Sequence, residues 1–336
     1  MRIIIPMAGM GKRMRPHTLT VPKPLLPIAG KPIVQRLVED LAKVSKSKVE
    51  EVAFIISSAF GKDVEANLIA IAEKLGAKGT ICYQNEALGT AHAILCAEQS
   101  LKGKTLVAFA DTLFKADFKL DDEQDGIIWV HKIEDPRAFG VVKLNTENVI
   151  TDFVEKPQTF VSDLAIIGIY YFKDGEYLKK ELRYLLDNDI KDKGEYQLTN
   201  ALENMKNKGT KFVPGKVVEW LDCGNKDATV YTNQRVLEFV RKEEKLVSAS
   251  AQFINSTVIE PCYIGDNVKI ENSIVGPHVS LGGNTKVEGS VICNSIVQNN
   301  SVIKNSLLRN SMLGSYVEYK GKADEVSVGD YNVFIS

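Results

Sequence analysis

The sequence predicts an α/β chain in two parts: a Rossmann-like, mostly parallel sheet within residues 1–243, then a parallel β-helix of hexapeptide repeats within residues 251–336. Three observations predict it. Short apolar runs alternate with helical stretches through the first third of the chain, the wiring of βαβ units. Beyond Phe253 aliphatic residues recur every six positions, with glycines between them. The polar stretch Arg241–Ser250 separates the two textures.

The bounded runs Ile3–Ile5, Val52–Ile56 and Leu106–Ala110 read as buried parallel strands. Between them Ile33–Val44, Asp63–Leu75 and Thr90–Gln99 read as helices. Shorter strands follow at Ile127–His131, Gly140–Leu144, Ile150–Val154 and Ile166–Phe172, then helices around Glu176–Leu186 and Tyr196–Lys206. A strand ends at Asp222, and Asn225–Glu243 reads as a helix. In the last part Asn-Ser followed by apolar residues recurs at 255, 272, 294, 300, 305 and 310. Val258, Ile264 and Ile270, then after a one-residue slip Val275, Leu281 and Val287, mark the six-residue period of a β-helix. Residues 319–336 carry little pattern.

The length of 336 residues suits about two domains. Hydrophobic content of 44% and charged content of 25% describe a globular chain able to bury cores. A net charge of -1 gives no global field for nucleic acid or an acidic membrane surface. Five scattered cysteines without metal spacing fit a reducing compartment, and no apolar run reaches the ~20 residues of a membrane helix. The chain begins as a strand rather than a secretory signal, so a cytoplasmic location is expected.

Charge is unevenly distributed. Arg2, Lys12, Arg13, Arg15, Lys23, Lys31 and Arg36 precede the first acid, Glu39. The loop after the first strand, Gly9-x-Gly11-Lys12-Arg13, is not a Walker loop, because Arg13 stands where Ser or Thr is needed. Nor is it a dinucleotide fingerprint, because Met14 fills the third glycine position. Bare glycine backbone and cations still suit a dense polyanion: N–H groups can approach phosphate where no Cβ intervenes, Arg13 can fork onto oxygens, and Lys23 adds a point charge in a loop stiffened by Pro22 and Pro24. A solvated basic face is the plain alternative.

This segment, with Pro22-Lys23-Pro24-Leu25, resembles the signature of the sugar-1-phosphate nucleotidylyltransferases, and the resemblance extends over nearly the whole chain. Thymidylyltransferases and uridylyltransferases that carry a left-handed β-helix are the most similar. Ala8 replaces the first glycine and Met14 a leucine. The resemblance implies Mg²⁺-assisted transfer from a nucleoside triphosphate, dTTP or UTP, to a sugar 1-phosphate, with glucose 1-phosphate the leading sugar. It implies nucleotide contacts at Ala8, Gly9, Gly11, Lys12, Gln84, Gly89 and Thr90, with Gln84 and Gly89 at the base and Thr90 as a helix cap. Arg13 and Lys23 would serve the leaving pyrophosphate and Lys156 the sugar phosphate. Asp111 and Asp222, each at a strand end, would bind Mg²⁺, although a lone Asp there is often a helix cap. Gly140, Glu155, Glu195 and Trp220 would face the sugar; Trp220 could equally pack beside Asp222, and Glu195 could cap a helix. Asp163 stands where the family has Asn. His92 reads as packing.

Two rival readings are an acyltransferase in the β-helix using His278 and a non-catalytic regulatory relative. The β-helix is expected to mediate contacts between identical chains or to sense product, and the charge balance and the lack of a long apolar run predict no nucleic-acid partner and no membrane partner.

Overall fold

The computed structural model describes residues 1–321, so most of the segment 319–336 lies outside the described residues. The chain's contacts divide it into two units. One comprises Met1–Leu26 with Lys31–Asn225; the other comprises Pro27–Gly30 with the chain from Lys226 onward. The expected boundary at 243 therefore falls earlier: the helix Lys226–Val240 groups with the repeats rather than with the sheet.

The first unit is built on a nine-stranded sheet ordered Ile150–Val154, Val141–Leu144, Leu164–Phe172, Thr105–Ala108, Arg2–Pro6, Glu51–Ile56, Lys78–Tyr83. Gly126–Lys132 pairs with Leu164–Phe172 and carries Phe212–Lys216 on its other side. Arg2–Pro6 runs parallel to Glu51–Ile56 and to Thr105–Ala108, and Glu51–Ile56 runs parallel to Lys78–Tyr83. Crossover helices such as Ile33–Val44, which buries Ile33, Val34, Leu37, Val38, Leu41 and Val44, cover these strands, and Ile3, Ile4 and Ile5 are fully buried.

The expectation of a mostly parallel sheet holds for that half only. Leu164–Phe172 runs antiparallel to Thr105–Ala108, Gly126–Lys132 and Val141–Leu144, so the sheet is mixed. Its nine apolar-rich residues serve two sets of neighbours because it breaks at Gly168 (φ +83°), between the register positions Ile166 and Tyr170. A backbone at that angle favours glycine, and the bulge re-aims two carbonyls used below.

The repeats form three parallel sheets. Their registers stack Ile270 on Val287 and Ile303, Val275 on Ile292 and Leu308, and Ile264 on Leu281 and Val297, all buried. This is the expected left-handed β-helix, with coils of 17 or 16 residues, shorter than three full hexapeptides. The one-residue slip in the aliphatic period is this shortening.

The recurring Asn-Ser is explained by the corners. Asn255, Asn272, Asn294, Asn300, Asn305 and Asn310 all have φ between +40° and +59°, a region that asparagine tolerates. Their amides stack from coil to coil, Asn255 onto Asn272 at 2.8 Å and Asn294 onto Asn310 at 2.7 Å. The following serines other than Ser311 both donate and accept, and Ser290, which follows Gly289, does the same. Ser290 Oγ donates to Glu288 O at 2.8 Å and accepts from Ser306 N at 3.1 Å. The same pattern joins Ser256, Ser273 and Ser290 in one column. Buried turn backbone thus finds a partner in the next coil.

Ser290 is buried, whereas Ser311 has no coil above it among the described residues to receive the second bond. Ser290→Ala should destabilise the repeat unit by about 1–3 kcal/mol, the usual cost of leaving buried polar groups unpaired, and Ser311→Ala by clearly less. Urea unfolding of the two variants checks this; equal losses would contradict the ladder.

Candidate active site

The first strand leaves the sheet at Pro6, and the chain turns through Ala8, Gly9 and Gly11 along one wall of a cavity of about 280 Å³. Gly11 has φ +58°, and a Cβ there would sit 2.9 Å from the Cβ of Lys23 and 3.2 Å from Thr18 Cγ2. Thr18 Oγ1 donates to Gly11 O at 2.8 Å, closing the turn. Gly11 is therefore needed for its angle and for the close approach of the Lys23 loop. Gly9 faces open space: among the described residues nothing lies within 4 Å of where its Cβ would be. Lys12 and Arg13 lie on the short turn Lys12–Met14, anchored by buried Met14, and share a neighbouring hollow with Lys23 and Gly224.

Asp111 does not end a strand as expected; it lies in the bend between Thr105–Ala108 and Thr112–Lys115. That bend is held from several sides. Phe109 N donates to Gly168 O at 2.9 Å and Thr112 Oγ1 to Ile167 O at 2.9 Å, the carbonyls exposed by the Gly168 bulge. Cys223 N donates to Asp111 O at 2.9 Å, and the strand Glu219–Asp222 pairs antiparallel with Thr112–Lys115, setting Asp222 opposite Thr112. The two aspartates, far apart in sequence, are thus brought to one place by backbone.

Lys23 Nζ lies 2.7 Å from Asp111 Oδ2, the lysine largely covered and the aspartate half-exposed. Burial pushes the Asp222 carboxyl above the usual carboxylate range, and the negative charge of Asp111 pushes it further; the Gly224 N–H and the cations Lys23 and Arg13 pull it back. A Cβ on Gly224 would lie 2.9 Å from Asp222 Oδ2 and 3.4 Å from an Arg13 guanidinium nitrogen. Gly224, which the sequence reading missed, lets arginine and carboxylate share that space; its place two residues after Asp222 was the available signal. Two neighbouring carboxylates, one of them costly to ionise, fit a divalent cation. Among the described residues no group of three or more acids, histidines or cysteines forms a cage.

Across the cavity stand Gln84, Gly89, Thr90 and Glu195. Gly89 has φ +114°, and a Cβ there would fall 2.4 Å from Tyr196 O. The loop is zipped to that segment by Tyr196 N to Leu88 O and Ala91 N to Tyr196 O, both 2.9 Å. Thr90 is not the helix cap expected; Gly89 occupies that position, and the Thr90 hydroxyl accepts from Leu198 N at 2.9 Å and donates to Gln197 Oε1 at 3.2 Å. Glu195 accepts from Gln197 Nε2 at 2.9 Å rather than from a helix N–H.

The remaining sugar-side residues do not line this cavity. Gly140 and Glu155 do meet: a Cβ on Gly140 would come 3.1 Å from Glu155 Oε2, which also accepts from Thr199 Oγ1 at 3.4 Å. Lys156, at φ +41°, is half-exposed with Nζ 3.6 Å from Glu155 Oε1. Trp220 packs edge-on against Phe139 at 5.1 Å and His131 at 6.2 Å. Asp163 pairs with Lys132 at 2.9 Å. In the repeat unit His278 Nε2 lies 2.7 Å from Glu238 Oε1.

A glycine turn rimmed by cations, beside two carboxylates in an α/β sheet, offers room and charge for a phosphate-bearing ligand. The family model for nucleotidyl transferases matches residues 2–238, and the chain belongs to that family. It is 27% identical over 321 residues to "Glucose-1-phosphate thymidylyltransferase" of Streptomyces antibioticus, covering 88% of this chain and 87% of that protein. It is 29% identical over 332 residues to "Low-salt glycan biosynthesis nucleotidyltransferase Agl11" of Haloferax volcanii, with the same coverage of 88% and 87%. "Bifunctional protein GlmU" of Methanocaldococcus jannaschii is 31% identical over 249 residues, covering 73% of this chain and 56% of that one. Among solved structures, the nucleoside-diphosphate-sugar pyrophosphorylase from Vibrio cholerae RC9 shares the fold with a TM-score of 0.60 at 22% identity, covering 69% of this chain and 99% of that one. No helix among the described residues is long and apolar enough to cross a membrane.

The raised Asp222 carboxyl has a consequence for stability. At neutral pH its ionised form is less favourable in the native state than in the unfolded chain, so this group disfavours the native state as pH rises through its folded pKa. Asp222→Asn should therefore leave the ligand-free protein's thermal midpoint at pH 7 unchanged or higher, the gain shrinking as pH falls toward the ordinary carboxylate range. A lower midpoint at pH 7 would contradict it.

Proposed function

We propose that the chain is a sugar-1-phosphate nucleotidylyltransferase, joining a nucleoside triphosphate, dTTP or UTP, to a sugar 1-phosphate, with glucose 1-phosphate the leading candidate. The observation that carries the reading is the contact between Lys23 and Asp111 at 2.7 Å beside the glycine turn, on a cavity whose other wall holds Gln84 and Gly89. The printed names of the relatives support the choice of nucleotide and sugar.

A phosphate oxygen of the sugar 1-phosphate forms a bond to the α-phosphorus, and the bond from that phosphorus to the bridging oxygen breaks, its electron pair leaving on pyrophosphate. The nucleophile is already ionised, so no general base is required, and catalysis reduces to positioning and charge neutralisation. Ala8, Gly9, Gly11 and Lys12 would seat the phosphates. Arg13 and Lys23 would hold the departing pyrophosphate, and Lys156, exposed enough to reorient, would meet the sugar phosphate. Gln84, Gly89 and Thr90 would frame the base, and Gly140, Glu155, Glu195 and Trp220 the sugar. Asp111 and Asp222 would hold Mg²⁺, which when bound neutralises charge on the phosphates. Lys23 would then exchange Asp111 for phosphate.

Pyrophosphate release, measured for a panel of nucleoside triphosphates against sugar 1-phosphates with Mg²⁺, should be strongest for dTTP or UTP. Asp111→Asn should lower it by about a hundredfold or more. Near-normal turnover in that variant would rule out the metal role.

A further inference from the structure

Gln84 is the only side-chain amide among the described residues lining the cavity, and its neighbours decide which end of it faces inward. Its Nε2 lies 3.4 Å from Gly89 O and 3.1 Å from His92 Nδ1. A carbonyl oxygen can only accept, so the amide end turned to Gly89 is the NH₂. The second hydrogen then points to His92 Nδ1, which accepts it only if the imidazole is neutral with its proton on Nε2. That nitrogen faces Cys96 Sγ at 3.9 Å, a weak acceptor suited to an N–H. Both amide hydrogens are thereby committed, and Gln84 Oε1 has no protein partner among the described residues.

We propose that His92 is a positioning residue that locks the Gln84 amide so that the cavity wall presents an acceptor to the nucleobase. The inference rests on the base-pocket reading above and sharpens it. A fixed acceptor suits a pyrimidine with a ring N–H, the imide of uracil or thymine. It opposes the unprotonated ring nitrogen of cytosine, whose lone pair would face Oε1. Without His92 the amide is free to turn, and the distinction weakens.

Titration calorimetry of UTP, dTTP and CTP with Mg²⁺ tests this on the full chain and its Gln84→Ala, His92→Phe and His92→Asn variants. The wild type should prefer UTP and dTTP over CTP. His92→Phe should weaken UTP and dTTP about fivefold, the usual size of one hydrogen bond, with little change for CTP. His92→Asn should restore the preference, because Asn Oδ1 can stand where Nδ1 stood. Weakening of all three nucleotides alike without rescue by Asn would assign His92 to packing and overturn the proposal. So would unchanged binding in His92→Phe beside a loss in Gln84→Ala, which leaves the base pocket standing. Unchanged binding in Gln84→Ala would remove the base-pocket reading and the proposal with it.

Discussion

Like charges must be held together at this site. Asp111 and Asp222 converge, and Lys12, Arg13 and Lys23 gather beside them; none of these groupings is favourable without an opposite charge between. The Lys23–Asp111 pair, joining residues 88 apart, provides part of that balance. With the carboxylate half-exposed, solvent screens the pair, and covering the lysine costs desolvation, so the pair's net contribution stays modest. Backbone bears the rest of the cost. The Asp111 bend is fastened to the Gly168 bulge and to Cys223 before any side chain acts. The carboxylates are therefore placed by sheet geometry rather than by their own attraction, and Lys23 and Arg13 offset part of their repulsion.

The repeat unit meets a different constraint. A coil of 16 or 17 residues leaves corner N–H and C=O groups that no strand can pair, and the Asn and Ser columns satisfy them from one coil to the next. Within the same unit, Asn233 Oδ1 is buried and accepts from Ala29 N at 2.9 Å and Ser280 Oγ at 2.7 Å. A Cβ on Gly30 would fall 2.2 Å from the Tyr263 ring. Pro27–Gly30, just past the Lys23 loop, thus belongs by contact with the later part of the chain.

Much of this was legible in the sequence because it is written in local terms. Residues needing a left-handed angle or close backbone approach appear as glycine at 11 and 89, and the buried columns of the repeats appear as a six-residue period with its slip. Asp111 and Asp222 were legible only through resemblance, since nothing local states that a bend between two strands meets the end of a distant third. The illegible features are relational. An apolar run such as Leu164–Phe172 does not state its direction, so the mixed sheet was read as mostly parallel. Thr90 carries the signature of a helix cap, yet its hydroxyl is drawn to Leu198, a contact set by tertiary packing. The role of His92 depends on the amide of Gln84, eight residues away across a turn.

The central claim is that Lys23 and Asp111 act as one locus around the phosphates. A double-mutant cycle on kcat/KM with Lys23→Ala, Asp111→Asn and the pair tests it most directly. Residues that serve one polyanion and its cation should be strongly non-additive, the double variant falling little below the worse single one. Losses that multiply, as for independent sites, would contradict the account.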